Sequence, residues 1–458
     1  MVKRGTLLAG TGRADITPEI GIQLAGDIGR LRPTEEIRDH LYANALVLKS
    51  GKTSFCFLSL DILSTTDEWA DEIRARAARR FGLDPNAIMV HVVQNHASPS
   101  VGHLFMSDRT TLFPPEYPWL RGGDDRYNEP AVAKCLEAID TALQNQRPVA
   151  IRVGRGVDGR VAFNRRFVLR DGTAQTHPPK CDPSILRAEG PVDPEVGVMT
   201  LTDAEGHVIS GFLHHTCHPC HGYPHRFVIG DWPGAWAELM RKEWGEASIP
   251  LVINGCCGNI HHCDHLNPGP DRDYRQMAEC LRDTSVGVLG RMDECASGPL
   301  AMERSVLRLP MRRLTRKAVA DAQALLRRYP EPKWQDEART SVDWDWVYAV
   351  GVLDLKRLQD RDSHLDYEVQ AFRIGDMALV TLKGEPFVEA QLQIKQASPA
   401  PYTFVAHFCN GYAGYLPTEE AFVRGGYETR TSNGSKFQPD ALEIITKCAG
   451  KLLRKLFR

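Results

Sequence analysis

Short apolar runs stop repeatedly at turns crowded with histidine, asparagine and glycine, and this pattern limits the fold more than any other feature of the chain. Ala87 to Val93 gives way to Asn95-His96. The run ending at Leu213 meets His214 to His218, and Ile249 to Ile253 meets Asn254 to His265. Lys383-Gly384-Glu385-Pro386 and Asn410-Gly411-Tyr412 follow two more. Runs of this length and make-up read as buried strands. A rigid sheet that presents polar residues at its strand ends is how layered α/β proteins build binding sites.

The remaining periodicity agrees with that reading. Tyr42 to Leu48 and Ser54 to Leu63 form a strand pair around Ser50-Gly51-Lys52. Glu68 to Arg80 has helical spacing and stops near Gly82, and Pro130 to Leu143 is a helix with an early proline. Val196 to Leu213 is a hairpin turning at Asp203 to Gly206, and Tyr367 to Leu382 is another around Gly375-Asp376. Helices over Trp232 to Trp244, Asp271 to Leu289 and 438–457, with a strand at 403–408, complete the pattern. No repeat of sequence is visible. Strands and helices are mixed rather than segregated, which predicts layered mixed β-sheets flanked by helices, an α/β fold.

Half of the sixteen histidines lie between His214 and His265. Imidazole is the commonest protein metal ligand and titrates near neutrality, so this density points to a metal-dependent active site. Pro219 holds His218 extended, which places His214, Thr216 and His218 on one side. One ligand is expected from that segment. His96 sits where a strand runs into a loop, which taken alone favours a turn histidine hydrogen-bonded to backbone over a ligand. Asp231 opens a helix and suits either an N-cap or a carboxylate that orients a ligand histidine. Glu385 suits a helix N-terminus or a hard oxygen ligand. Gly255 and Gly258 let backbone N–H groups approach a ligand near His261, His262 and His265.

Net charge is −2 over 458 residues, which gives no field for nucleic acid or an anionic membrane. There is no transmembrane run and no apolar signal core, so the expected location is cytoplasmic, with reduced thiols.

Taken in order, several motifs resemble those of the neutral (alkaline, non-lysosomal) ceramidase family. They are Gly10 to Pro18, Leu58 to Asp61, Asn95-His96, Asn164-Arg165-Arg166, Cys217-His218-Pro219, Gly230-Asp231, Asn254 to Asn259, Gly384-Glu385-Pro386, Asn410 to Thr418 and Gly426-Tyr427-Glu428. The resemblance implies one ceramidase-like catalytic domain over residues 1–458, without the family's C-terminal immunoglobulin-like domain. It implies one Zn2+ held by His96, His218, Glu385 and Tyr415, with Arg165 and Tyr427 at the substrate or oxyanion. Two positions depart from it. Ser98 stands where the family has a second histidine, and His261 follows where it has a serine.

The expected activity is zinc-dependent hydrolysis of an amide bond in a small or lipid-like acyl substrate. His261 is the expected general base, and Ser98, His214, Asn254 and Tyr412 are expected to contact substrate. Ester or lactone hydrolysis on the same scaffold is the alternative, as is a non-catalytic metal- or lipid-surface-binding protein. A thiolate nucleophile at Cys256-Cys257 is a further enzymatic possibility. The segment from Leu104 to Gly123 reads as a surface loop or a lid. The basic, amphipathic stretch from Leu442 to Arg458 reads as a membrane-surface helix or one packed on its own domain.

Overall fold

The computed structural model describes residues 6–104, 112–296 and 298–458. Its chain builds the same arrangement three times. The first unit contains β1 (Leu7–Asp15), β2 (Tyr42–Ser50), β3 (Thr53–Leu60), α1 (Asp67–Phe81), β4 (Ile88–Val92) and α2 (Asp125–Gln144). The second contains β5 (Ala150–Val157), β6 (Glu195–Thr202), β7 (Val208–His215), α3 (Asp231–Trp244), β8 (Ile249–Asn254) and α4 (Tyr274–Leu289). The third starts with β9 (Leu300–Pro310), inserts α5 (Arg316–Arg328) and α6 (Trp344–Arg361), and resumes with β10 (His364–Ile374), β11 (Met377–Thr381), α7 (Val388–Ala397), β12 (Tyr402–Ala406) and α8 (Ala441–Leu456).

In each unit three strands meander antiparallel, a helix crosses over, and the fourth strand adds parallel to the third. Within their sheets these strands run β4-β3-β2-β1, β8-β7-β6-β5 and β12-β11-β10-β9, and the first two sheets add a short edge strand, Arg147–Pro148 beside β1 and Asp293–Cys295 beside β5. The inner faces of all three sheets share one core, in which Phe55 and Phe57 meet Phe372 and Phe57 meets Phe212, with Phe404 in the same cluster. Each outer face is covered by its own helices. The absence of a sequence repeat therefore hides a structural one, because each copy needs only apolar strand faces and not particular residues.

One local signature does recur. Gly10 and Gly12 of β1 lie so close to α2 that a Cβ would fall about 2 Å from the carbonyls of Ala142 and Ala138. Gly154 and Gly156 of β5 admit Val288 and Thr284 of α4 in the same way.

The expected hairpins and crossover helices are present. The helix expected over 130–143 starts earlier, at Asp125. Asp124 caps it, and Pro130 lies inside the helix rather than in its first turn. Helix α8 packs on the third sheet through Leu442, Ile445, Leu453 and Leu456, and its Lys447 and Lys455 pair with Glu443 and Glu303. It is thus a helix of its own domain. Among the described residues no helix is long and apolar enough to cross a membrane. Of the expected lid, 105–111 lie outside the described residues. The part after them packs on α6, with Phe113 against Trp346 at 5.9 Å and the Leu112 N–H on Asp354 at 3.0 Å.

Candidate metal centre and cleft

Strand ends from the three units meet at one end of the shared core and form the floor of a cleft of about 910 Å³. The first unit supplies His96 after β4. Asn95 fixes that turn by donating to Ile229 O (2.7 Å) and accepting from Ala97 N–H (2.9 Å), while His96 N–H donates to Pro219 O at 2.9 Å. Gly26 lies against the ring: a Cβ there would fall 2.6 Å from His96 Nδ1, so only glycine leaves room for the imidazole. Burial, with His218 alongside, pushes the His96 pKa down to about 3 and keeps the ring neutral.

The second unit supplies His218 after β7. Its Nδ1–H donates to Cys257 O at 2.7 Å, which leaves the lone pair on Nε2. That Nε2 is 3.3 Å from Glu385 Oε2, and the His96 and His218 rings are 5.6 Å apart. The third unit supplies Glu385 after β11. The two-residue strand Glu385–Pro386 pairs parallel with Tyr415–Leu416, which sets Tyr415 beside the carboxylate. Gln94 donates to Glu385 Oε2 at 2.7 Å and the Tyr412 hydroxyl to Oε1 at 3.0 Å. Burial would raise the Glu385 pKa, but His218, Arg165 and the Gln94 amide hold it below the usual carboxylate value.

These residues fit a divalent cation. Nε2 of both His96 and His218 is buried without a hydrogen-bond partner, an arrangement costly enough to imply a missing one. Two open imidazole nitrogens, an ionised carboxylate and a phenol form a donor set suited to zinc.

Arg165 is buried over the floor. It donates to Gly258 O (2.7 Å) and the Tyr415 hydroxyl (3.3 Å), is paired with Glu428 at 3.2 Å, and lies within 6 Å of the Tyr415 and Tyr427 rings. The Tyr415 and Tyr427 hydroxyls are 3.4 Å apart. His261 also lines the cleft, 6.5 Å from His218 between ring centres. Its Nδ1 accepts the Cys263 N–H at 3.2 Å, and burial drives its pKa well below the usual histidine value. Neutral His261 therefore carries its proton on Nε2. The expected base is in place but is built as a donor.

None of the four expected substrate contacts lines the cleft. His214 lies in the core, stacked on Phe404 at 4.9 Å with Nε2 3.1 Å from Val405 O. The extended face that would join it to His218 ends with β7 at His215. Ser98 is buried and donates to Asn95 O at 2.7 Å, closing its own turn. Asn254 ties strand ends together, donating to Val93 O (2.9 Å) and Cys217 O (3.0 Å). Tyr412 stands behind Glu385 rather than facing the cavity. Asp231 is the first residue of α3 rather than its cap, and it orients His221, not His96 or His218. Cys256 and Cys257 are fully buried, and burial raises both thiol pKa values, which removes them as nucleophiles.

Sequence reasoning missed Gln94, His177 and the apolar mouth. His177 has φ 51°, and its ring centre is 4.5 Å from that of His261. The sequence Thr176-His177-Pro178-Pro179 is the signal that could have drawn attention to it. The mouth is lined by Ile28, Phe113, Phe227, Trp344 and Val347.

No protein-family model and no curated protein matches the sequence. The fold nevertheless defines a class: three mixed sheets around one core form the neutral ceramidase fold. The crystal structure of neutral ceramidase from Pseudomonas aeruginosa matches with a TM-score of 0.73 at 17% identity, over 99% of this chain and 74% of that one. A ceramidase complexed with C2 matches at 0.73 and 16% identity, over 99% and 75%.

Proposed function

We propose that the protein is a metal-dependent hydrolase of an amide bond in a lipid-like acyl substrate, a distant member of the neutral ceramidase family. The observation that carries this reading is that three residues, one from each unit, come together. The His96 and His218 rings are 5.6 Å apart and His218 Nε2 is 3.3 Å from Glu385, with the open Nε2 atoms of both histidines buried at the floor of a largely apolar cleft. His96, His218, Glu385 and Tyr415 would hold one Zn2+, which when bound supplies Lewis acidity, bringing the pKa of water toward ~7 and polarising a carbonyl.

The chain's own residues supply the rest. Glu385 stays ionised beside His218 and Arg165, with the Gln94 amide and the Tyr412 hydroxyl donating to its carboxylate. Arg165, Tyr427 and the Nε2–H of His261 offer donors over the floor, the arrangement needed where negative charge develops on a carbonyl oxygen. The apolar mouth takes the acyl chain and excludes water.

The test is metal analysis paired with a panel of acyl amides, esters and lactones, before and after chelation. Wild-type protein should cleave the amides and lose activity on chelation, and His218→Ala should lose both metal and turnover. Full activity in metal-free His218→Ala protein contradicts the proposal. Preference for esters or lactones reassigns the bond but keeps the centre.

A further inference from the structure

The two floor histidines are held by different means. His218 is oriented through its ring, by the bond from Nδ1–H to Cys257 O. Among the described residues no hydrogen bond orients the His96 ring. The His96 backbone is fixed by its N–H on Pro219 O, and the ring is set by shape, against Gly26. The place of this imidazole therefore depends on the place of the Gly26 loop.

Arg32 fixes that loop. Its side chain is fully buried, and its four hydrogen bonds all go to backbone carbonyls. Nη1 donates to Ala25 O, just before Gly26, at 3.0 Å. Nη2 donates to His96 O at 3.0 Å and to His225 O at 2.8 Å, and Nε donates to His225 O at 3.1 Å. One planar guanidinium thus joins the loop to the ligand's own carbonyl and to a third segment. Ala25 N–H on Ser98 O at 2.9 Å completes the register of loop on turn. The Tyr223 ring neighbours both groups, 5.1 Å from the guanidinium and edge-on to His96 at 6.3 Å. Burial lowers the Arg32 pKa to about 10, so the group is charged at neutral pH. A buried charge bonded to no carboxylate is costly. A residue that only fills space has no need of one, whereas carbonyls converging from three segments call for a forked, charged donor.

We propose, on the reading of the floor as a zinc site, that Arg32 is a positioning residue for His96, holding its imidazole in place by clamping the Gly26 loop to the His96 carbonyl. Arg32 touches neither metal nor substrate. The clamp acts on His96 alone, because His218 and Glu385 are held by partners of their own. It also ties a metal ligand to the cleft wall, since Gly26 and Tyr223 line the cleft.

The test is a double-mutant cycle on zinc affinity, read by competitive chelator titration of full-length protein. Arg32→Lys keeps a cation but loses the fork, and should weaken zinc binding by roughly 10–100-fold. Gly26→Ala, whose Cβ would fall 2.6 Å from His96 Nδ1, displaces the ring directly and should also weaken binding. In His96→Ala protein, which keeps the other ligands, Arg32→Lys should cause no further loss. Urea midpoints of the zinc-free proteins report folding separately. An equal loss in the His96→Ala background makes Arg32 a residue of general stability and overturns the proposal. So does wild-type affinity in folded Arg32→Lys or Gly26→Ala protein. Where Arg32→Lys does not fold, Arg32→Gln, which keeps a donor without burying a charge, takes its place in the cycle with the same outcomes. Failure of the floor reading looks different: wild-type protein then binds no zinc, or His96→Ala protein binds it as tightly as wild type.

Discussion

The floor and the mouth of the cleft are assembled by opposite means. The floor takes one side chain from each structural unit and holds each with buried hydrogen bonds to backbone or side-chain partners. The mouth is apolar, and much of it comes from the α6 insertion and the segment packed on it. A floor built from three units cannot shift one ligand without disturbing a sheet. A mouth built on an insertion can vary while the sheets stay fixed. On the proposed function, chemistry would belong to the floor and substrate choice to the mouth, and the two would be separable.

The largest expected effect tests the floor. Glu385→Gln removes the ionised oxygen beside His218 and should lower both metal affinity and turnover for every substrate, by more than the ~10–100-fold typical when a group behind a ligand is lost. Unchanged metal affinity would show that Glu385 is not part of the centre. Gln94→Ala and Tyr412→Phe each remove one donor to that carboxylate and should cost about 10–100-fold in metal affinity. A competitive chelator titration reads both variants, and a fall in turnover with full affinity would place them in the chemistry instead.

The mouth should answer differently. Trp344→Ala opens the rim where this side chain is 42% exposed. It should raise KM about tenfold for long acyl chains, at roughly 0.8 kcal/mol per CH2 left unburied, with little change for short ones or in kcat. An equal loss for short and long chains would break the separation.

The smallest effect concerns pH. Burial lowers the pKa of His91 to about 4 and that of His214 to about 3. Both folded values lie below the unfolded value of ~6.5, so the unfolded chain takes up protons first as pH falls. Their contribution is complete above pH ~6.5 and is lost progressively toward pH ~4. Urea denaturation at pH 7.5 and 5.5 should differ by about 1 kcal/mol per histidine. Equal stability at the two pH values would mean that these imidazoles are not buried neutral.

Much of this was legible in the sequence, and the reasons are specific. Strands and hairpins were readable because buried strands need apolar runs and tight turns, as at Asp203 to Gly206. The strand-end placement of His96, His218 and Glu385 was readable because each follows such a run at once. The threefold repeat was not, since apolar faces leave no residue-level signature. Only the paired Gly-x-Gly of β1 and β5 marks it. Contacts within the loops were also hidden. His214 and His218 are four residues apart, yet one enters the core and the other the cleft, because the strand stops between them. Tautomers were equally out of reach: only the Cys263 N–H on Nδ1 shows His261 to be a donor.

The central claim is that one cation, held by residues from all three units, powers hydrolysis at the floor. It is tested most directly by titrating zinc into the chelated wild-type protein. Amide hydrolysis should return in proportion to a single bound equivalent, and the same titration of His96→Ala protein should restore nothing. Hydrolysis that proceeds at full rate before any zinc is added would contradict the account.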